Sequence, residues 1–186
     1  MIATGELKKG VTIELDGKLF QVLEYSHIKM GRGSAQVRIK LRDVRAGSTI
    51  EHTVQAGTKF NRARVERREM QYLYADAEFY HFMNTETFEQ VPVAVDTIGE
   101  ASLYLKENDV SQLVLYGDEV IGIELPITVD LAVAETDPGF KGDTATGGTK
   151  KAKLETGLTV QVPLFIETGT MIRVNTDTGQ YVERVS

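Results

Sequence analysis

A single arginine between two glycines, Gly31-Arg32-Gly33, is the residue group best suited to chemistry in this chain. Lys29 lies just before it, and the alternating run Val37-Arg38-Ile39-Lys40-Leu41-Arg42 follows. Glycine lets a chain reverse tightly and adds no side chain. The spacing therefore predicts a narrow hairpin with Arg32 projecting alone from its tip. Period two sends Val37, Ile39 and Leu41 to a core and Arg38, Lys40 and Arg42 to one solvent face. Such a face suits phosphate, each contact adding roughly −0.7 to −0.9 to the log-log salt slope. An ordinary solvated sheet face has the same pattern.

A second polar group lies in the Gly/Thr-rich stretch from Asp137 to Thr149. Gly142, Asp143, Thr144, Gly147 and Gly148 offer backbone N–H groups and a hydroxyl, and Lys150, Lys151 and Lys153 add point charges. Gly147-Gly148-Thr149-Lys150 lacks the glycine spacing and the strand-to-helix context of a nucleotide-binding loop. His27, His52 and His81 have no ligand spacing around them, so no metal site is expected. No nucleophile stands in a strand-turn-helix motif. The carboxylates scatter, and no catalytic residue is expected. Tyr72, Tyr74, Phe79, Tyr80, Phe82 and Phe88 sit among acidic residues and read as core packing rather than as base-stacking surface.

The elements that must position these groups are strands. Val11–Leu15 and Lys18–Tyr25 flank Asp16-Gly17, a strong hairpin signal. Ala35–Val44 and Thr49–Val54 follow, giving about five short strands for a small barrel over residues 1–64. Residues 65–126 read as strands Glu69–Tyr74, Phe79–Met83, Phe88–Val93, Leu113–Tyr116 and Val120–Glu124, with a short helix at Thr97–Leu105. Residues 127–186 read as strands Ile127–Val133, Thr159–Val162, Met171–Asn175 and Gln180–Val185 around the long Gly/Thr loop. The second and third units each match the size of an OB-fold barrel. No close internal sequence repeat is visible.

The 186 residues contain no cysteine, which excludes disulfides and thiolate chemistry and suits a reducing cytoplasm. No apolar run approaches a membrane span, and no secretory signal opens the chain. The net charge of −6 divides unevenly. Residues 1–64 hold 12 Lys/Arg and 6 Asp/Glu, residues 65–126 hold 3 and 13, and residues 127–186 hold 6 and 8. A +6 end suits phosphate, and a −10 middle would be repelled from it or face basic protein.

Two segments carry a family resemblance. One is the fingertip with its strand, Lys29 to Leu41. The other is the spaced set Lys150, Ala152, Gly157, Val160, Val162-Pro163, Ile166 and Gly169. On these, the chain resembles bacterial translation elongation factor P along its entire length. The resemblance implies an all-β protein of three β-barrel domains, an SH3-like (KOW-type) barrel followed by two OB-folds, arranged in an L like a tRNA. It implies a cytoplasmic monomer without cofactors that binds the 70S ribosome beside peptidyl-tRNA and relieves stalling at consecutive prolines. Arg32 would be the peptidyl-tRNA contact. Lys29, Gly31 and Gly33 would form the fingertip, with Arg38, Lys40 and Arg42 on the tRNA backbone. Gly142, Asp143, Thr144, Gly147, Gly148, Lys150 and Lys151 would meet the small subunit or messenger. The ribosomal RNA would supply the bond-forming chemistry. Many relatives carry Lys-Pro-Gly-Lys-Gly at the tip, with the second lysine modified; here Met30 and Arg32 replace the proline and that lysine. Arginine has no primary amine to extend. Arg32 is then rhamnosylated, otherwise modified by a dedicated enzyme, or bare. A close paralogue of the factor and a general OB-fold RNA chaperone are the competing readings.

Overall fold

The computed structural model describes residues 1–28, 31, 33–139 and 147–186. The first sheet holds six strands: β1 Ile2–Ala3, β2 Thr12–Leu15, β3 Lys18–Ile28, β4 Gln36–Asp43, β5 Thr49–Gln55 and β6 Lys59–Arg62. Their order is β1-β6-β2-β3-β4-β5. Asp16 and Gly17 both take positive φ, 51° and 74°, the requirement of a two-residue hairpin turn that matches strand twist. The core gathers Ile13, Val22, Val37, Ile39 and Leu41, all at 0% exposure, beneath Phe20 and Phe60.

The second sheet holds β7 Glu66–Ala75, β8 Phe79–Asn84, β9 Gln90–Ala94, β10 Val110–Tyr116 and β11 Glu119–Glu124, in the order β11-β10-β7-β8-β9. The third holds β12 Thr128–Thr136, β13 Thr149–Leu154, β14 Thr159–Pro163, β15 Met171–Asn175 and β16 Tyr181–Arg184, in the order β14-β13-β12-β15-β16. Its core is Leu131, Val133, Ala152, Leu154, Val160, Val162, Ile166, Ile172 and Val174. Two compact units emerge, Met1–Arg68 with Leu113–Gly122, and Glu69–Gln112 with Ile123–Ser186.

Three strands, β1, β6 and β13, are absent from the sequence reading. The first two are short. In β13 the lysines of Thr149–Leu154 mask a buried alternation of Ala152 and Leu154. The helix expected at Thr97–Leu105 is instead α1, Val95–Ile98, followed by a 3-10 turn at Gly99–Tyr104. Gly99 at φ 54° interrupts the α-helical path.

Two hairpin turns are copies of one another. In Asn84-Thr85-Glu86-Thr87-Phe88, the Asn84 side-chain oxygen accepts from the amides of Glu86 and Thr87, and its carbonyl accepts from Phe88 N. In Asn175-Thr176-Asp177-Thr178-Gly179, Asn175 does the same with Asp177, Thr178 and Gly179. The fifth residue takes positive φ in both, 60° at Phe88 and 69° at Gly179. The repeat escapes the sequence because only asparagine and two threonines coincide.

Candidate nucleic-acid interface

Strands β3 and β4 pair from Phe20↔Asp43 out to Ile28↔Gln36 and form one long hairpin around positions 29–35. The apolar residues of β4 are fully buried, while Arg38 and Arg42 are exposed and Lys40 half-buried. The alternation expected from sequence is therefore present, and hydrophobic burial fixes which way the cations point. Lys29 and Arg32 lie outside the described residues. Gly31 and Gly33 are exposed; neither takes positive φ, and a Cβ added to either would meet nothing within 4 Å. The reversal therefore does not need glycine at these positions, contrary to the sequence argument. Seven positions, 29–35, separate the two strands.

The neighbouring strands change the character of the basic stripe. A register shift between Val22 and Glu24 leaves Leu23 as an extra residue, and beyond it Glu24 pairs with Lys40. Without that bulge Glu24 would share the inward face of Val22. On the other side Glu51 pairs with Lys40. Lys40 is thus flanked by two carboxylates, whereas Arg38 lies between Ser26 and Thr53, and Arg42 between Gln21 and Thr49. Lys9, Glu24, Ser26, Arg38, Lys40 and Glu51 line an open depression of about 420 Å³. It can neutralise phosphate at Arg38 while its carboxylates and Ser26 accept from hydroxyl or amine groups. Glu24 and Glu51 were invisible in a one-strand reading. Tyr25 and His27 share the opposite face and join Oη to Nε2 at 2.7 Å, bracing the hairpin towards its tip.

The second polar group is only partly described. Gly142, Asp143 and Thr144 lie outside the described residues. Gly147 takes positive φ, 71°, just before β13 begins. Lys150 Nζ donates to the Asp137 carbonyl at 2.7 Å, so this ammonium ties the base of the loop together. Lys151 is exposed beside Gln161 and keeps its charge at the surface. On the opposite side of the loop base, a Cβ on Gly139 would come within 2.3 Å of the Leu164 carbonyl oxygen. Glycine is required there by close approach of two backbones.

The aromatic residues divide, which corrects the reading of all six as core. Tyr72 and Phe82 are buried, but Tyr74, Phe79 and Phe88 are 48%, 37% and 70% exposed. A second bulge, at Leu73, moves Tyr74 to the face opposite Tyr72 and sets it beside His81. Their rings stack with centroids 4.4 Å apart. His81 Nε2 meets Asp76 at 2.7 Å. That contact, with the amides of Glu78 and Phe79, lowers the Asp76 carboxyl to about 2. In the third sheet Asp130 takes a two-pronged bond from Arg173, which lowers its pKa, and Glu183 accepts from the same guanidinium. Among the described residues no group of three His, Cys, Asp or Glu side chains is placed to hold a metal. No helix there is long and apolar enough to cross a membrane.

Comparison with known proteins decides the family. Residues 3–60 match the elongation factor P KOW-like domain, residues 65–123 its OB domain, and residues 129–184 its C-terminal domain. The chain belongs to the elongation factor P family. An elongation factor P from Moorella thermoacetica is 56% identical over 184 residues, covering 99% of this chain and all of that relative. One from Thermoanaerobacter is 53% identical over the full length of both. The fold is shared with a solved translation initiation factor 5A from Methanococcus jannaschii, at a TM-score of 0.50 and 20% identity over 66% of this chain and 90% of that one. The protein is accordingly a translation elongation factor with a KOW-like N-terminal domain and two OB domains. In elongation factor P terms, the C-terminal signature is mainly structural. Ala152, Val160, Val162 and Ile166 are buried, and Gly157 and Gly169 take φ of 91° and 88°. The signature identifies the family through its core rather than its chemistry.

Proposed function

We propose that this family member binds the ribosome beside peptidyl-tRNA and promotes peptide-bond formation, relieving stalling at consecutive prolines. The observation that carries the reading is the β3–β4 hairpin, whose exposed Arg38 and Arg42 lead directly towards the tip residues. Proline fixes φ and stiffens the nascent chain. A factor that clamps peptidyl-tRNA in attack geometry supplies orientation, which lowers the barrier without a catalytic side chain of its own. Arg32 is then the tip contact and the target of any modifying enzyme. Lys29, Arg38 and Arg42 hold the tRNA backbone, with Lys40 tempered by its carboxylates. Gly142, Asp143, Thr144, Gly147, Gly148 and Lys151 approach the small subunit or messenger, and Lys150 braces that loop. The working divisions are 1–64, 65–126 and 127–186, in a monomer acting in the cytoplasm without a cofactor. The test compares binding to 70S ribosomes carrying peptidyl-tRNA with binding to random single-stranded RNA at one salt concentration. The ribosome complex should be far tighter; equal affinities would favour a general RNA chaperone.

A further inference from the structure

We infer that Phe88 is an anchor for a basic ribosomal protein, held in an unfavourable backbone conformation because its ring is needed outside the fold. Phe88 has φ 60° and is 70% exposed. Bulky residues with positive φ are outliers, and such outliers gather where function holds them. The copied turn supplies an internal control. At Asn175–Gly179 the same asparagine and threonine bonds form with glycine in the fifth position: 2.9, 3.0 and 2.8 Å there, against 2.8, 3.1 and 2.9 Å at Asn84–Phe88. The threonine-to-amide contacts also agree, 3.4 Å from Gln180 N and 3.4 Å from Glu89 N. The turn closes equally well without a side chain at this position. Phe88 buries little area, so packing does not compensate for its conformation.

Charge identifies the occupant. Glu86 and Glu89 lie on either side of Phe88 in the sequence and are exposed, and residues 65–126 carry a net −10. Arg68, two residues before the Met70↔Asn84 pair, is joined to Glu66. A phosphate backbone is repelled from such a surface, whereas lysine- and arginine-bearing protein is attracted to it. Aromatic side chains, phenylalanine included, are enriched at the cores of protein interfaces, where the surrounding rim is polar. This inference rests on the ribosomal reading above, and its test separates the two.

The experiment measures the folding stability and ribosome binding of the full chain and its Phe88→Gly variant. A benzophenone amino acid at position 88 then reports what lies against the ring. Phe88→Gly should shift the unfolding equilibrium about threefold or more towards the folded state. It should also weaken ribosome binding by about tenfold, while Phe88→Tyr retains affinity. The crosslink should fall on a ribosomal protein of net positive charge. Destabilisation by Phe88→Gly, unchanged binding, or a crosslink to RNA or to a second copy of this chain would overturn the inference. Failure of the wild-type chain to bind ribosomes would overturn the underlying reading as well.

Discussion

Gly31 and Gly33 dominate the fingertip in the sequence, yet the fold asks nothing of either. With no positive φ and no atom near an added Cβ, Gly31→Ala and Gly33→Ala should leave stability within about 0.5 kcal/mol of wild type in urea titrations. Gly179→Ala should behave differently. Its φ is 69°, and its Cβ would come 3.0 Å from Tyr104 Oη; a loss of about 1–2 kcal/mol is expected. If the fingertip glycines matter, the reason lies in what they meet outside the chain, and an activity loss in a stably folded Gly31→Ala would show it. Asp76 supplies a test of electrostatics at the same scale. Its carboxyl is lowered from 3.8 to about 2, first by His81 and then by two backbone amides. The sign follows from linkage: the folded state binds the proton less readily than the unfolded chain. The contribution to stability is therefore complete above the unfolded value and fades as pH falls from about 4 towards 2. Carboxyl-carbon NMR should place Asp76 near 2 and show it rising in His81→Ala; an unchanged titration would refute the pairing.

At the scale of elements, β4 combines a core face and a cationic face. Ile39→Ala removes a fully buried side chain and should cost about 2–5 kcal/mol. Arg38→Gln and Arg42→Gln should leave stability nearly unchanged. Each should reduce the log-log salt slope of ribosome binding by about 0.7–0.9. Lys40→Gln should change the slope less, because Glu24 and Glu51 already stand opposite Lys40; an equal effect from all three would contradict the mixed-charge face. Alternation made β4 and its cationic face legible in sequence because a buried face enforces period two. The bulges at Leu23 and Leu73 were not legible, since each reverses the facing of every later residue and leaves no periodic mark. They explain why strict alternation does not place Glu24 beside Lys40 and sends Tyr74 to the core. Strand β13 was missed because Lys150, Lys151 and Lys153 outnumber its buried residues. The copied turn was hidden for another reason: its geometry resides in one asparagine oxygen and a run of backbone amides, which several sequences satisfy.

Across the whole molecule, the uneven charge gives a broader rationale. A +6 N-terminal stretch, a −10 middle and a −2 end can meet RNA at one place and basic protein at another. The net charge of −6 taken alone would argue against the RNA contact. Family membership makes the chain a translation elongation factor, and the proposed function assigns that role to the basic hairpin and its tip. Its arginine differs from the lysine that many relatives are expected to carry, so intact mass of protein from the native source should show either the bare chain or a defined addition at Arg32. The most direct measurement is the rate of synthesis through a polyproline stretch in a purified translation system, using native-source protein and its Arg32→Ala variant. The wild-type chain should relieve the stall, and Arg32→Ala should fold normally yet fail to relieve it. Equal relief by both proteins, or none by either, would contradict the account.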